Sequence, residues 1–224
     1  MKDSMPALLG RELWFPPAES APTDGDFAGL VAIGGDLSVE RLLLAYRSGI
    51  FPWSVNPITW WSPSPRGIIP LDHDDWPRSL RKLIRQQPFE ITRNQAFTEV
   101  VCQCAEQPRP GAWISPEFIS AYTELHKAGH AHSLECWKDG QLVGGIYGVA
   151  VGGLFAGESM FHRHSNASKV ALFHLLGHLR ARGFQLFDTQ MTTETTEKLG
   201  AIEIPRAEYL RRMAEVVARA VSFD

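Results

Sequence analysis

Gly157-Glu158-Ser159-Met160-Phe161-His162-Arg163-His164-Ser165-Asn166-Ala167-Ser168-Lys169, running on to Phe184-Gln185-Leu186-Phe187-Asp188-Thr189-Gln190, is the stretch that decides the fold. Leu154 and Phe155 with their neighbours read as the end of a strand. Residues 166–182 read as a helix, opened by Asn166 and Ser168 and stopped by Gly183. Phe184 to Phe187 reads as a short buried strand. A strand, a helix and a second strand then carry Glu158, Asp188 and Gln190 to neighbouring strand ends. Asp188 and Gln190 are two apart, so on a regular strand they face one side. One reading makes these polar residues a chemical site. The other makes Asp188 a cap for the next turn and Glu158 an exposed loop carboxylate.

Working outward, Phe89 to Thr92 is a strand candidate, and Asn94 opens a helix to about Ala105. Gly111-Ala112-Trp113-Ile114 is a short connection. Ser115 caps a helix through Ala128 that stops at Gly129. Residues 131–137 and 141–151 form two strands joined by Lys138-Asp139-Gly140, a hairpin signal. A third strand starts at 153–156. Beyond Gln190 come a polar helix, Thr193 to Leu199, and a last helix after Pro205 with Tyr209, Leu210, Met213, Val216 and Val217 inward. This order is that of an N-acetyltransferase-like α+β fold, a mixed sheet with flanking helices. Enzymes of that superfamily hold a cofactor pyrophosphate on a glycine-containing loop before the central helix. Residues 161–169 contain no glycine, so backbone amides cannot approach a pyrophosphate in that way. Acetyl-CoA is not the expected donor, and no cofactor is expected.

The chain ahead of this unit differs in character. Trp14, Trp53, Trp60 and Trp61 lie among prolines in Trp14-Phe15-Pro16-Pro17, Ile50-Phe51-Pro52-Trp53 and Trp60-Trp61-Ser62-Pro63-Ser64-Pro65-Arg66-Gly67. Tryptophans flanked in this way are not expected all to sit in regular elements. They form either a small aromatic core or, in part, a stacking platform for a base. Residues 1–68 are therefore read as a small N-terminal domain and 69–224 as the main one. Val39, Leu42, Leu43 and Tyr46 mark a helix capped by Ser38 and ended by Gly49. Arg78, Arg81, Lys82 and Arg85 follow on a basic helix, with Arg78, Lys82 and Arg85 on one face. That stripe is either a solvated surface or a phosphate track.

Composition narrows the classes. The 224 residues carry a net charge of −3 and are 44% hydrophobic, enough for a real core but not a general nucleic-acid coat. No apolar run of membrane length occurs, and Met1-Lys2-Asp3-Ser4-Met5-Pro6 does not read as a signal peptide. Cys102, Cys104 and Cys136 lack framework spacing, which fits a reducing cytoplasm. Cys102 and Cys104 face different sides of a helix, and His162 and His164 lack partners at ligand spacing, so no metal site is expected.

Several stretches together resemble bacterial leucyl/phenylalanyl-tRNA–protein transferases. They are Gly34-Gly35-Asp36-Leu37-Ser38, Gly49-Ile50-Phe51-Pro52-Trp53, Trp60-Trp61-Ser62-Pro63, Gly129-His130-Ala131-His132-Ser133, Gly144-Gly145-Ile146-Tyr147-Gly148-Val149, Gly157-Glu158-Ser159-Met160-Phe161, Asn166-Ala167-Ser168-Lys169 and Leu199-Gly200-Ala201-Ile202-Glu203-Ile204-Pro205-Arg206. The resemblance spans about residues 29–210. It implies transfer of Leu, Phe or, less well, Met from aminoacyl-tRNA to proteins with N-terminal Arg or Lys, marking them for N-end-rule degradation. It implies a cytoplasmic enzyme, read here as a monomer. By the same resemblance Trp53 is the platform for the terminal adenine. Ile146, Phe155, Met160, Leu172, Leu175 and Phe187 line the side-chain pocket, and Tyr46, Trp113 and Tyr122 frame the cleft. Ile146 and Leu175 depart from the Met and Phe of better-known members.

The chemistry agrees. A protein α-amine has a reference pKa of about 8, and an aminoacyl ester is already activated. Aligning the two offers the greatest acceleration, and a positioned base adds roughly 10²–10⁴-fold. Asp188, Gln190 and Glu158 are the candidates to accept a proton, pass polarity to the amine and orient the cationic acceptor. The basic stripe would then meet acceptor-stem phosphates. A CoA-dependent N-acyltransferase and a non-catalytic RNA-binding module are the alternatives.

Overall fold

The computed structural model describes residues 6–107 and 113–224, so Met1–Met5 and part of the connection expected at Gly111–Ile114 lie outside the described residues. The elements in chain order are β1 (Ala7–Leu9), β2 (Leu30–Gly34), α1 (Val39–Arg47), β3 (Phe51–Val55), β4 (Ile58–Trp61), β5 (Arg66–Ile69), α2 (Arg78–Arg85) and β6 (Glu90–Arg93). Then follow α3 (Phe97–Ala105), α4 (Pro116–Lys127), β7 (Ala131–Lys138), β8 (Gln141–Val151), β9 (Leu154–His162), α5 (Ala167–Arg182), β10 (Leu186–Gln190), α6 (Glu194–Glu197), β11 (Ile202–Ile204) and α7 (Arg206–Val216).

Seven strands make one mixed sheet in the order β11-β5-β10-β9-β8-β7-β6. Within it β9 and β10 run parallel, joined by α5, with Ala156 opposite Asp188. The other neighbours pair antiparallel. A sheet covered on both faces sends alternate residues to two cores. Leu154, Ala156 and Phe161 of β9 accordingly join residues of α1, α3, α4 and α7. Phe155 joins residues of α2 and α5.

The N-terminal aromatics are more regular than the sequence suggests. Trp53, Trp60 and Trp61 all lie in strands of a second sheet, ordered β1-β2-β4-β3. Proline is tolerated because Pro52 sits on the edge strand β3, where the register to β4 shifts between Pro52 and Ser54. The division expected at 68/69 falls inside β5, which belongs to the seven-stranded sheet.

Other local expectations change as well. The strand anticipated to end near Phe155 begins at Leu154 and runs to His162, so Glu158 is mid-strand. The helix expected from Asn94 starts at Phe97. Asn94 instead takes a positive φ, and its side-chain oxygen accepts the Ser133 N–H. This long-range bond ties the end of β6 to β7 and commits the Asn94 side chain away from the start of α3. Ser38 caps α1 by accepting the Arg41 N–H, and Thr193 and Thr196 form a reciprocal capping box on α6. Ser115 precedes α4, but its hydroxyl goes to Glu117.

Arg206, at the start of α7, is buried and donates to the Ser62 and Ala21 carbonyls, tying the N-terminal segment to the large sheet. Arg206→Ala leaves both carbonyls without a donor in a dry site. The expected loss is roughly 2–4 kcal/mol of unfolding free energy, read from urea titrations. An unchanged midpoint would mean that water replaces the guanidinium.

Candidate active site

Two neighbouring β-bulges build the site. On β9, Gly157 opposes Gly148 while Ser159 opposes Tyr147, which leaves Glu158 as the extra residue. On β10, Asp188 opposes Ile68 while Gln190 opposes Gly67, which leaves Thr189 extra. Bulges bend a strand and re-aim side chains. Because Ala156 and Asp188 are partners, Glu158 and Gln190 stand at the same level, each two residues further on. The regular alternation expected from Asp188 to Gln190 is broken here, and Gln190 itself has φ +64°.

Asp188 is fully buried and paired with buried Arg66, through Nε–H to Oδ1 at 2.9 Å and Nη2–H to Oδ2 at 2.6 Å. Tyr209 donates to Oδ2 at 2.7 Å, and the Gln190 backbone N–H donates to Oδ1 at 2.7 Å. Four donors fill the acceptor capacity of one carboxylate. Arg66 also donates to the Gly49 carbonyl and lies over the rings of Phe51 and Tyr209. The carboxylate raises the already high pKa of Arg66 against the opposing effect of burial. Asp188 therefore closes the turn at Gln190, as a capping residue would, and is also one half of a buried ion pair.

Glu158 is held differently. Tyr46 donates to its Oε1 at 2.8 Å, Tyr122 to its Oε2 at 2.9 Å, and the Gln190 side-chain amide to Oε1 at 2.8 Å. The two tyrosine oxygens are 2.7 Å apart. No cation is among these partners. Burial pushes the Glu158 carboxyl up to about 7, and the tyrosine hydrogen bonds only partly pull it back. Burial also holds both tyrosines well above their ordinary pKa, so they remain neutral donors.

Glu158 opens on a cavity of about 180 Å³ lined by Ile69, Ile146, Gly157, Met160, Leu172, Phe187, Met191 and threonines 189, 193 and 196. Four residues expected in a side-chain pocket, Ile146, Met160, Leu172 and Phe187, are in this wall. Phe155 and Leu175 are buried in the adjoining core instead, with Phe155 stacked on Phe187 at 5.9 Å. Tyr46 and Tyr122 reach Glu158 from α1 and α4. Trp113 packs edge-on against Tyr122 and Phe118. Trp53 is half-buried and meets Trp61 edge-on at 5.6 Å. Arg78, Arg81, Lys82 and Arg85 lie along α2, largely open to solvent, with Arg81 3.9 Å from Asp75.

Sequence reasoning did not single out Arg66 or Tyr209 for the site. Arg66 appeared only at the end of a proline-rich run and Tyr209 only as a core residue. The available signal was physical: an aspartate inside an apolar strand requires a buried cation or several donors.

Comparison with known proteins identifies the family. Residues 68–214 match the family model described as leucyl/phenylalanyl-tRNA protein transferase, and residues 35–64 match that of its N-terminal domain. A leucyl/phenylalanyl-tRNA–protein transferase from Pseudoalteromonas atlantica is 53% identical over 213 residues, covering 93% of this chain and 90% of that protein. One from Aromatoleum aromaticum is 52% identical over 214 residues, covering 94% and 89%. A third, from Syntrophobacter fumaroxidans, is 49% identical over 218 residues, covering 95% and 92%. Among solved structures, the C-terminal domain of a putative lysylphosphatidylglycerol synthetase from Agrobacterium fabrum aligns with a TM-score of 0.41 at 12% identity, over 78% of this chain and 55% of that one. That likeness is too distant to bear on fold or function. The family match and the relatives are decisive: the chain belongs to the leucyl/phenylalanyl-tRNA protein transferase family.

Proposed function

We propose that this protein moves Leu, Phe and, less well, Met from aminoacyl-tRNA to the N-terminal Arg or Lys of acceptor proteins. It does so in the cytoplasm, as a monomer, and so marks its targets for N-end-rule degradation. The carrying observation is a carboxyl group with its pKa raised to about 7 by burial, beside a cavity walled by apolar side chains and several hydroxyls. The parallel pair β9–β10 around α5 supports reading the large sheet as N-acetyltransferase-like, with residues 1–68 as the smaller unit.

In this reading the donor side chain enters the cavity and its ester carbonyl lies beside Glu158. The acceptor α-amine attacks that carbonyl. The new C–N bond forms, the C–O bond to the ribose breaks, and the amine proton passes to Glu158 and then to the leaving ribose oxygen. The Gln190 amide N–H is used on Glu158, which leaves its carbonyl oxygen to accept an N–H of the amine. Asp188 acts as a positioning residue through the Gln190 backbone. Trp53 stacks on the terminal adenine, and the α2 stripe binds acceptor-stem phosphates. Phe155 and Leu175 shape the pocket from behind.

The direct test supplies Leu-, Phe-, Met-, Ile- and Val-tRNA with a peptide beginning with Arg and weighs the product. The apolar part of the wall disfavours charged side chains, and branching at Cβ crowds the reacting carbonyl. Leu and Phe are expected to add to the peptide, and Ile and Val are not. No mass increase with any donor would end this reading.

Glu158→Gln is expected to lower turnover by roughly 10²–10⁴-fold and to remove the limb near pH 7 from the rate profile, leaving only that of the acceptor α-amine at about pH 8. The stability sign follows from the raised pKa. The folded protein binds this proton more tightly than the unfolded chain, so the stabilisation is full below about pH 4.5 and is lost as pH rises through about 7. Glu158→Gln should therefore raise Tm relative to the parent more at pH 8 than at pH 5. A variant that keeps full activity and the lower limb would remove Glu158 from the proton path.

Neutralising Arg78, Lys82 and Arg85 together should flatten the salt dependence of tRNA binding, by up to about 0.9 in the log–log slope per lost phosphate contact on duplex. Use of an aminoacyl-adenosine donor should not change. Loss of activity with that small donor would place the stripe's role in folding.

A further inference from the structure

Residues beyond α7 return to the donor pocket from behind. Met213 and Val216 of α7 belong to the core on one face of the large sheet, and Phe223 belongs to the core on the other. The crossing is made at the β8–β9 turn, where the Gly153 N–H donates to the Val216 carbonyl at 2.8 Å. Gly152 there has φ +56°, and a Cβ would lie 2.3 Å from the Val217 carbonyl oxygen. Only glycine lets the chain pass so close.

Phe223 is 2% exposed and is anchored on several sides. Its ring stacks on His132 at 4.2 Å and meets the edge of His178 at 4.6 Å. The His178 ring Nε2 lies 2.7 Å from its carbonyl oxygen. Arg182 donates to the Ser222 carbonyl, and Asn94 donates to the Asp224 carboxylate. Phe223 also stacks on Phe155 at 5.8 Å, and Phe155 stacks on Phe187 at 5.9 Å with planes 6° apart. Phe187 is the ring that lines the cavity. The sheet is hollowed to receive the two inner rings. A Cβ on Gly148 would lie 2.4 Å from Phe155, and one on Gly157 would lie 2.8 Å from Phe187.

We infer that Phe223 is a specificity-determining positioning residue, a wedge that fixes Phe155 and through it the Phe187 wall of the donor pocket. The inference rests on the proposed aminoacyl transfer. Close-packed rings have no slack to absorb a displaced member. Without the wedge, Phe155 can retreat into the vacated space, Phe187 can follow, and the cavity deepens. The bulkier donor then gains relative to the smaller one.

The test compares Phe223→Ala and Phe223→Leu with the parent in competition between Phe-tRNA and Leu-tRNA for one Arg-peptide. Methyl NMR of Met160 and Leu172, which line the cavity, is recorded in parallel. For Phe223→Ala the Phe-to-Leu transfer ratio should rise roughly tenfold, the low end of what one methylene of space is worth in an apolar pocket. Phe223→Leu should fall between, and the methyl signals should shift in the same order. If Phe223→Ala does not fold, Phe223→Leu decides alone. Lower Tm with an unchanged ratio and unmoved methyl signals would reduce Phe223 to a core residue and overturn the inference. If the parent itself transfers neither amino acid, the functional reading fails. The wedge then stands or falls on the methyl shifts.

Discussion

The Arg66–Asp188 pair is the constraint on which the site depends. Taking two charges out of water costs several kcal/mol per ion unless geometry and further hydrogen bonds offset it. Here both conditions are met. The contact is bidentate, and Tyr209, the Gln190 N–H and the Gly49 carbonyl occupy the remaining positions. The pair joins β5, β10, α7 and the turn after α1 at one point. Those elements lie far apart in sequence, and although β5 and β10 also share a ladder, α7 and the turn after α1 meet them largely through apolar packing, which tolerates small slips. A buried charge pair does not, because a displaced partner leaves an uncompensated ion. Its value is therefore positional as much as energetic.

From that fixed point the geometry passes outward in two bonds. Asp188 holds the Gln190 backbone in a positive-φ conformation, and the Gln190 side chain then reaches Glu158. The two carboxylates sit in contrasting surroundings. Asp188 has a guanidinium and every acceptor position taken. Glu158 has only neutral donors and is pushed toward neutrality by burial. The first surroundings suit a structural anchor, and the second suit the proton exchange proposed above. Both arise from bulges at the same level of adjacent parallel strands, a device that regular alternation cannot supply.

Much of this was legible in the sequence and some was not. The α5 segment, the β7–β8 hairpin and the inward face of α7 follow from periodicity and stop signals. The grouping of Glu158, Asp188 and Gln190 followed from strand–helix–strand order. The division of labour among them did not, because a one-residue bulge leaves no periodic trace in the nine residues of β9. Arg66 was hidden for a similar reason: its partner lies 122 residues away, and only tertiary pairing connects them. The N-terminal strands were masked by their prolines, since whether a proline is tolerated depends on which strand is the edge. Asn94 was misplaced because its side chain found a partner on β7 rather than on its own helix.

The division of labour also explains how modest machinery can be sufficient. An aminoacyl ester and an amine react without help from a strong base, and holding them in register supplies most of the available acceleration. What the proposed reaction asks of the protein is a rigid cavity beside a proton acceptor, and the cavity here is walled by closely packed rings. Ile146, stiff at χ1, closes one wall of the cavity where a methionine would yield. Phe187 closes another, backed by Phe155 and lying over Gly157, a position with no room for a Cβ. In the proposed reading, stiff walls make discrimination among apolar donors a matter of shape at fixed distance from Glu158. On that reading, the packing whose burial raises the Glu158 pKa is also the packing that selects which side chain can bring its ester there.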